Sequence, residues 1–217
     1  SGRWERAIIH EVGNPAHEAW LGRNVADIAR ERGKDGLDTF LDLAIEDNLE
    51  LQYTFELFNA DEDRIPELIR DPRTLIGLSD GGAHVDMLCD AGYTTYLLGT
   101  WVRDRQALTL EHAVKRITSE PAALFGMQGR GRIAPGLAAD FAIFDLNTIG
   151  SQKRGEMRND LPGGCGRLYA DAEGIHHVIV NGTEVIRDGK YLGTPAGKII
   201  RPGEDTETVR IGAGAKS

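Results

Sequence analysis

Hydrophobic and polar positions along the first 125 residues alternate between two periods. RAIIHEV (6–12) is a short apolar run of strand length, expected to be a buried strand. Asn24 then stands where a helix N-cap would, with Val25, Ile28 and Ala29 on one face and Gly33 as the stop. In GLDTFLDLAIEDN the apolar residues Leu37, Phe40, Leu41, Ala44 and Ile45 recur at i, i+3, i+4, i+7 and i+8, which predicts an amphipathic helix. LELQYTFEL changes the period to two: Leu49, Leu51, Tyr53, Phe55 and Leu57 alternate with polar residues, as in a strand. A short helix over 61–70, the DPRT turn and a strand TLIGLS follow. Thr109 caps another helix that buries Leu110, Ala113, Val114 and Ile117, and Ser119-Glu120-Pro121 opens a last turn or two before Gly126. Strands separated by helices predict parallel pairing through right-handed crossovers.

After Gly129 the grammar changes. GRIAPGLAADFAIFD is a glycine turn followed by a short strand over 140–145. HHVIVNGTEVIRDGKYLG is a hairpin signature, with Asn181-Gly182 as the turn and Asp188-Gly189 closing the second strand. The expected organisation is therefore α/β over residues 1–127 and a small β-rich domain over 128–217, with a mobile tail after Arg201.

Composition narrows the function classes. The formal net charge of −9, without a basic patch, argues against nucleic acid and anionic membranes as partners. No apolar run approaches the roughly 20 residues of a membrane span. Cys89 and Cys165 are too far apart for a metal motif, so a reduced, cytoplasmic compartment is the expectation.

The chemistry-bearing stretch is LIGLSDGGAHVDMLCD, residues 75–90. An apolar run ends in Ser79-Asp80, and Gly81-Gly82 allows a sharp turn with close substrate approach. Parallel α/β folds gather ligand-handling residues at the carboxyl ends of strands. An Asp there serves as general base for a metal-bound water, as a metal ligand, or simply as a cap for the turn that follows. His84, four residues on, is a candidate for substrate or metal contact.

IGLSDGGAH, GTWVR, LEHAVKRITSEPAALFG, GRGRIAPGLAADFAIFD and VIVNGTEVIRDGKY, in that order, resemble the C-terminal part of the amidohydrolase superfamily. More narrowly they are similar to the N-acyl-D-amino-acid deacylase (D-aminoacylase) group, over roughly residues 4–202. The resemblance implies a metal-bearing TIM-type (β/α)8 barrel, whose last strands and helices would be residues 1–127, followed by a small β-sandwich-like composite domain over 128–217. It implies zinc, a small N-acyl amino acid substrate and Asp80 as the carboxylate that activates the hydrolytic water or ligates metal. Gly81, Gly82 and His84 would lie at the substrate.

Two departures qualify that expectation. The metal ligands of such enzymes, a His-x-His pair, a bridging Cys or modified Lys and further His residues, have no counterpart among His10, His17, His84, His112, His176 and His177. A barrel takes about 200 residues or more. The chain is thus expected to be the C-terminal portion of a longer enzyme, partnered by that enzyme's N-terminal remainder and inactive alone; a homo-oligomer is compatible with it. The stretch after the Asp, AHVDMLCDAGYTTYLLG, also lacks the Arg of the group's usual His-Pro-Arg, which leaves stereospecificity open. Rival readings are hydrolysis of cyclic amides and a non-catalytic assembly module. His10, Glu11 and His17 lack zinc-protease spacing, Cys89 reads as a packed thiol, and Arg103 as a helix-end cation rather than a carboxylate clamp.

Overall fold

The computed structural model describes residues 3–55, 61–77, 79, 84–86, 91–152 and 155–209. The chain is mixed α/β and divides into two compact units, Ser1–Ile65 and Pro66–Ser217. The change of pattern expected at residue 128 falls inside the second unit, where helices give way to strands.

In the first unit, β1 (Ala7–Glu11), α1 (Val25–Arg32), α2 (Gly36–Glu46) and β2 (Gln52–Phe55) enclose one core. Ile9, Ile28, Leu43 and Leu51 are buried together, with Val12, Trp20 and Tyr53 against them. Each such side chain stabilises the fold by about 1.5–3 kcal/mol relative to exposure. Helix α1 starts and stops as its sequence predicts: Asn24 Oδ1 accepts from Asp27 N–H at 2.8 Å, and Gly33 leaves the helix at φ 64°.

Two expectations fail here. β1 and β2 pair antiparallel, Ala7 opposite Phe55 and Ile9 opposite Tyr53, not parallel. Between them lie a 3-10 helix (Pro15–Trp20), α1 and α2 in place of the single crossover helix that parallel pairing would use. Helix α2 also turns a different face inward. Thr39 and Leu43 are buried, while Leu37, Leu41 and Ile45 are 52%, 48% and 68% exposed. The inward stripe is set by Phe40, stacked on Tyr53 at 4.3 Å, and by Asp47 just past the helix end. Leu49, assigned to the strand by its period, sits at φ 64° in the turn before β2.

The second unit begins with α3 (Ile65–Arg70), whose first residue closes the first unit. Residues 74–77 of the expected strand TLIGLS belong to no described ladder, and Leu75 and Ile76 are only half-buried. The rest of that stretch includes Leu78, which lies outside the described residues. Next, α4 (Tyr93–Tyr96) runs into a π-helix, Leu97–Asp104, marked by Arg105 N–H donating to Thr100 O. Leu97, Leu98, Trp101 and Val102 are buried on it. Then α5 (Leu110–Ile117), capped by Thr109 as expected, leads to α6 (Ser119–Leu124).

Among the described residues, the β-rich part holds one four-stranded antiparallel sheet, in the order β10 (Lys190–Tyr191), β9 (Thr183–Arg187), β8 (Ile175–Val180), β3 (Phe141–Phe144). Two small ladders accompany it: β4 (Gly150–Ser151) with β7 (Ala172–Glu173), and β5 (Glu156–Arg158) with β6 (Arg167–Tyr169). The Asn181-Gly182 hairpin forms as its sequence predicts, with φ 48° and 80° at the turn. Past Arg201 the described chain bonds back to the turn after α6. Glu207 N–H donates to Gly126 O at 2.8 Å and Gln128 N–H to Asp205 O at 3.1 Å, so the chain is held as far as Glu207. Gly126 permits this, since a Cβ there would fall 2.1 Å from Glu207 O.

Gly99 lets the π-helix backbone press on the segment before β4: a Cβ would lie 2.5 Å from Ile149 O. Gly99→Ala is expected to lower unfolding free energy by about 1–3 kcal/mol, the usual cost of overpacking. Denaturant titration checks it; the midpoint should fall while the slope stays constant.

Candidate active site

Of the residues that the sequence puts forward, Asp80, Gly81 and Gly82 lie outside the described residues, as do Leu78 and Cys89. His84 is described: its side chain is exposed and its backbone is left-handed at φ 47°. The neighbouring Val85 carbonyl accepts from Leu168 N–H at 2.6 Å, which ties this loop to β6. Among the described residues no group of three His, Cys, Asp or Glu gathers to hold a metal ion. The zinc that the resemblance implies would thus need donors beyond the described residues.

The turn that precedes LIGLSD is built from backbone bonds and one buried cation. Asp71 Oδ1 accepts from Arg73 N–H at 2.8 Å and from Arg73 Nε at 2.9 Å. The Arg73 guanidinium and backbone N–H hold the Asp71 carboxyl at about 2, and the charge of Arg116 helps. Thr74 Oγ1 lies 2.7 Å from Leu68 O and 3.0 Å from Asp71 O, while Arg116 Nη2 donates to it at 2.8 Å. Arg103 stands in the last turn of the π-helix, where the helix-end reading puts it. Its Nη1 donates to Ile149 O at 2.6 Å and its Nε to Asp104 Oδ1 at 2.7 Å.

In the first unit the strongest polar feature is one that sequence reading missed. Asp47, 1% exposed, accepts from Gly13 N–H at 2.7 Å, Asn14 N–H at 3.1 Å and the His17 imidazole Nδ1 at 2.7 Å. A carboxylate only accepts, so His17 Nδ1 carries the proton in this bond. His17 stacks on Trp20 at 3.9 Å. These contacts hold the loop that leaves the carboxyl end of β1. Burial pushes the Asp47 carboxyl up, but the His17 bond and the two backbone N–H groups outweigh it and leave it below the usual range. The only sequence signal was an Asp just after a helix, which is too common to single out.

The β-rich part has a similar junction. Asp140 accepts from Arg130 and, through Oδ1, from Asn181 N–H at 2.8 Å; Arg130 Nη2 also donates to Asn181 Oδ1 at 2.6 Å. The Gly-Arg loop, the A-D dipeptide and the hairpin turn are thereby one unit. Here the signal was present, as GRGRIAPGLAAD and the Asn-Gly turn, without a hint that they meet.

These motifs place the chain in a class: it belongs to the amidohydrolase family, whose model matches residues 5–186. Within that family it is similar to enzymes that act on D-amino-acid derivatives by name. The D-aminoacylase of Alcaligenes xylosoxydans xylosoxydans is 30% identical over 181 residues, covering 82% of this chain and 34% of the relative. The N-acyl-D-glutamate deacylase of the same organism is 34% identical over 152 residues, 66% of this chain and 28% of its own. A D-aminoacylase crystal structure, described as defining a novel subset of amidohydrolases, aligns with TM-score 0.50 at 28% identity, covering 88% of this chain and 37% of that one. The chain spans about a third of the length of the curated relatives it matches.

Asp47→Ala is expected to destabilise the protein by about 1–3 kcal/mol, because the Gly13 and Asn14 N–H groups lose their acceptor. With the carboxyl lowered in the fold, its contribution is complete above the unfolded carboxylate value and is lost as pH falls through the folded one. Urea melts of both proteins from pH 7 down to pH 3 should show the gap closing toward acid.

Proposed function

We propose that the complete protein carrying this chain hydrolyses the amide bond of an N-acyl-D-amino acid or a similar small N-acyl amide. The family match over residues 5–186 carries this reading, supported by the likeness to two deacylases of D-amino-acid derivatives. In this reading residues 1–127 are the C-terminal part of a (β/α)8 barrel and 128–217 a small β-sandwich-like domain. The chain supplies the general base, Asp80, which takes a proton from the attacking water and delivers it to the leaving amine. Gly81 and Gly82 let the substrate approach the backbone, and exposed His84 borders it. Zinc would polarise the carbonyl and make water a better nucleophile, on donors that the described residues do not gather. The chain alone would then be inactive. Its cysteine usage suits a reducing, cytoplasmic setting.

Arg103 is committed to Asp104 and backbone carbonyls, so it does not offer the substrate carboxylate a clamp. Specificity for the acid portion is therefore sought in other residues of the complete protein.

In the full-length protein Asp80→Asn should lower kcat by roughly 10²–10⁴ with KM little changed. Assays on N-acetyl-D- and N-acetyl-L-amino acids and on cyclic amides read both rate and class. Undiminished turnover in a folded Asp80→Asn protein would remove Asp80 from the reaction. Preference for cyclic amides would replace the substrate class.

A further inference from the structure

In the second unit a cavity of about 510 Å³ is lined by α5, α6 and the glycine-rich loop that follows them. Small-molecule sites commonly span about 300–1,000 Å³. Gly131 draws the walls together. At φ 83° its backbone lies against the start of α6, where a Cβ would fall 2.6 Å from Ala122 Cβ and 3.1 Å from Thr118 O. Its two neighbours, Arg130 and Arg132, line the same space as Lys115 and Ser119.

The charges on this wall do not balance. Glu120 is its one carboxylate, and Oε2 already accepts from Arg116 Nη1 at 2.8 Å. Arg116 is 2% exposed and neutralises Glu120 from behind the wall. Arg130 is answered by Asp140 and anchored by Asn181 Oδ1 at 2.6 Å. Two cations are left over. Lys115 meets only the engaged Glu120, at 3.6 Å, beyond hydrogen-bond reach. Arg132 is exposed and forms no hydrogen bond or ion pair with a described residue. In a chain of net charge −9, a concave surface with two unanswered positive charges runs against the composition. A cleft lined by one sign of charge concentrates the opposite sign. Ala122 and Met127 add an apolar floor, which a bare inorganic ion would leave uncovered.

We propose that this cavity binds a small organic dianion, a phosphate monoester or a dicarboxylate. The Arg132 fork and the Lys115 ammonium hold its charges, the Ser119 hydroxyl donates a further hydrogen bond, and its carbon body rests on Ala122 and Met127. None of these residues takes part in the hydrolysis read above, so the site stands or falls apart from it.

Calorimetric titration of the full-length protein at fixed ionic strength tests it, with glycerol 3-phosphate, succinate, inorganic phosphate and uncharged glycerol as probes. One of the two organic dianions is expected to bind saturably at one site per chain, and which one binds decides between phosphate ester and dicarboxylate. Arg132→Gln and Lys115→Gln should each weaken that binding about tenfold or more, the loss of a charge-assisted hydrogen bond. Lys190→Gln, which removes an exposed cation on β10, should leave it unchanged. Thermal melts establish that each variant is folded. Three results would overturn the site: no saturable binding of either organic dianion, binding that survives both Arg132→Gln and Lys115→Gln, or an equal loss in Lys190→Gln. Binding of inorganic phosphate as tight as that of the organic dianions would mean an adventitious ion only, and would overturn it as well.

Discussion

A charge taken out of water has to be met by donors or by an opposite charge, and in each compact unit of this chain one such charge decides where irregular backbone runs. In the first unit it is Asp47, which draws Gly13, Asn14 and His17 onto one carboxylate. Satisfying it turns α2 so that Phe40 and Leu43 face the strands and Leu37, Leu41 and Ile45 face outward. In the second it is Arg116, which joins α5 to the start of the segment leading to Asp80. The first is fully met and lowers its own carboxyl; the second is met only in part.

Much of the fold was legible because it is local. Asn24, Gly33 and Thr109 end their helices by bonds spanning a few residues, and Asn181-Gly182 turns the hairpin by backbone preference alone. What was misread depends on distant partners. The sense of β1 against β2 belongs to a connection of three helical segments rather than one crossover helix. The face of α2 follows from Tyr53, thirteen residues on from Phe40, and from a carboxylate that must reach residue 13. TLIGLS is tested only in part, since Leu78 lies outside the described residues and residues 74–77 sit in no described ladder.

For the candidate site the balance is reversed. Family membership was legible from motifs in consistent order, yet the contacts that surround those motifs were not. His17 with Asp47 spans 30 residues, Arg116 with Thr74 spans 42 and Arg130 with Asn181 spans 51. No periodicity carries such pairings, because each is one side chain choosing another after the chain has folded. Asp80 itself rests on motif and position, outside the described residues.

The clasp between Gly126 and Glu207 has a consequence for biosynthesis. Leaving the ribosome, α6 and the glycine turn after it emerge well before the segment that completes them. At about 5–20 residues per second the delay is roughly 4–16 seconds. Throughout that interval the Gly126 carbonyl lacks its Glu207 partner and Met127 lacks its bridge to Thr206. The second unit is therefore a structure whose middle waits for its end, and a nascent chain stalled before residue 207 would present that unfinished seam to chaperones.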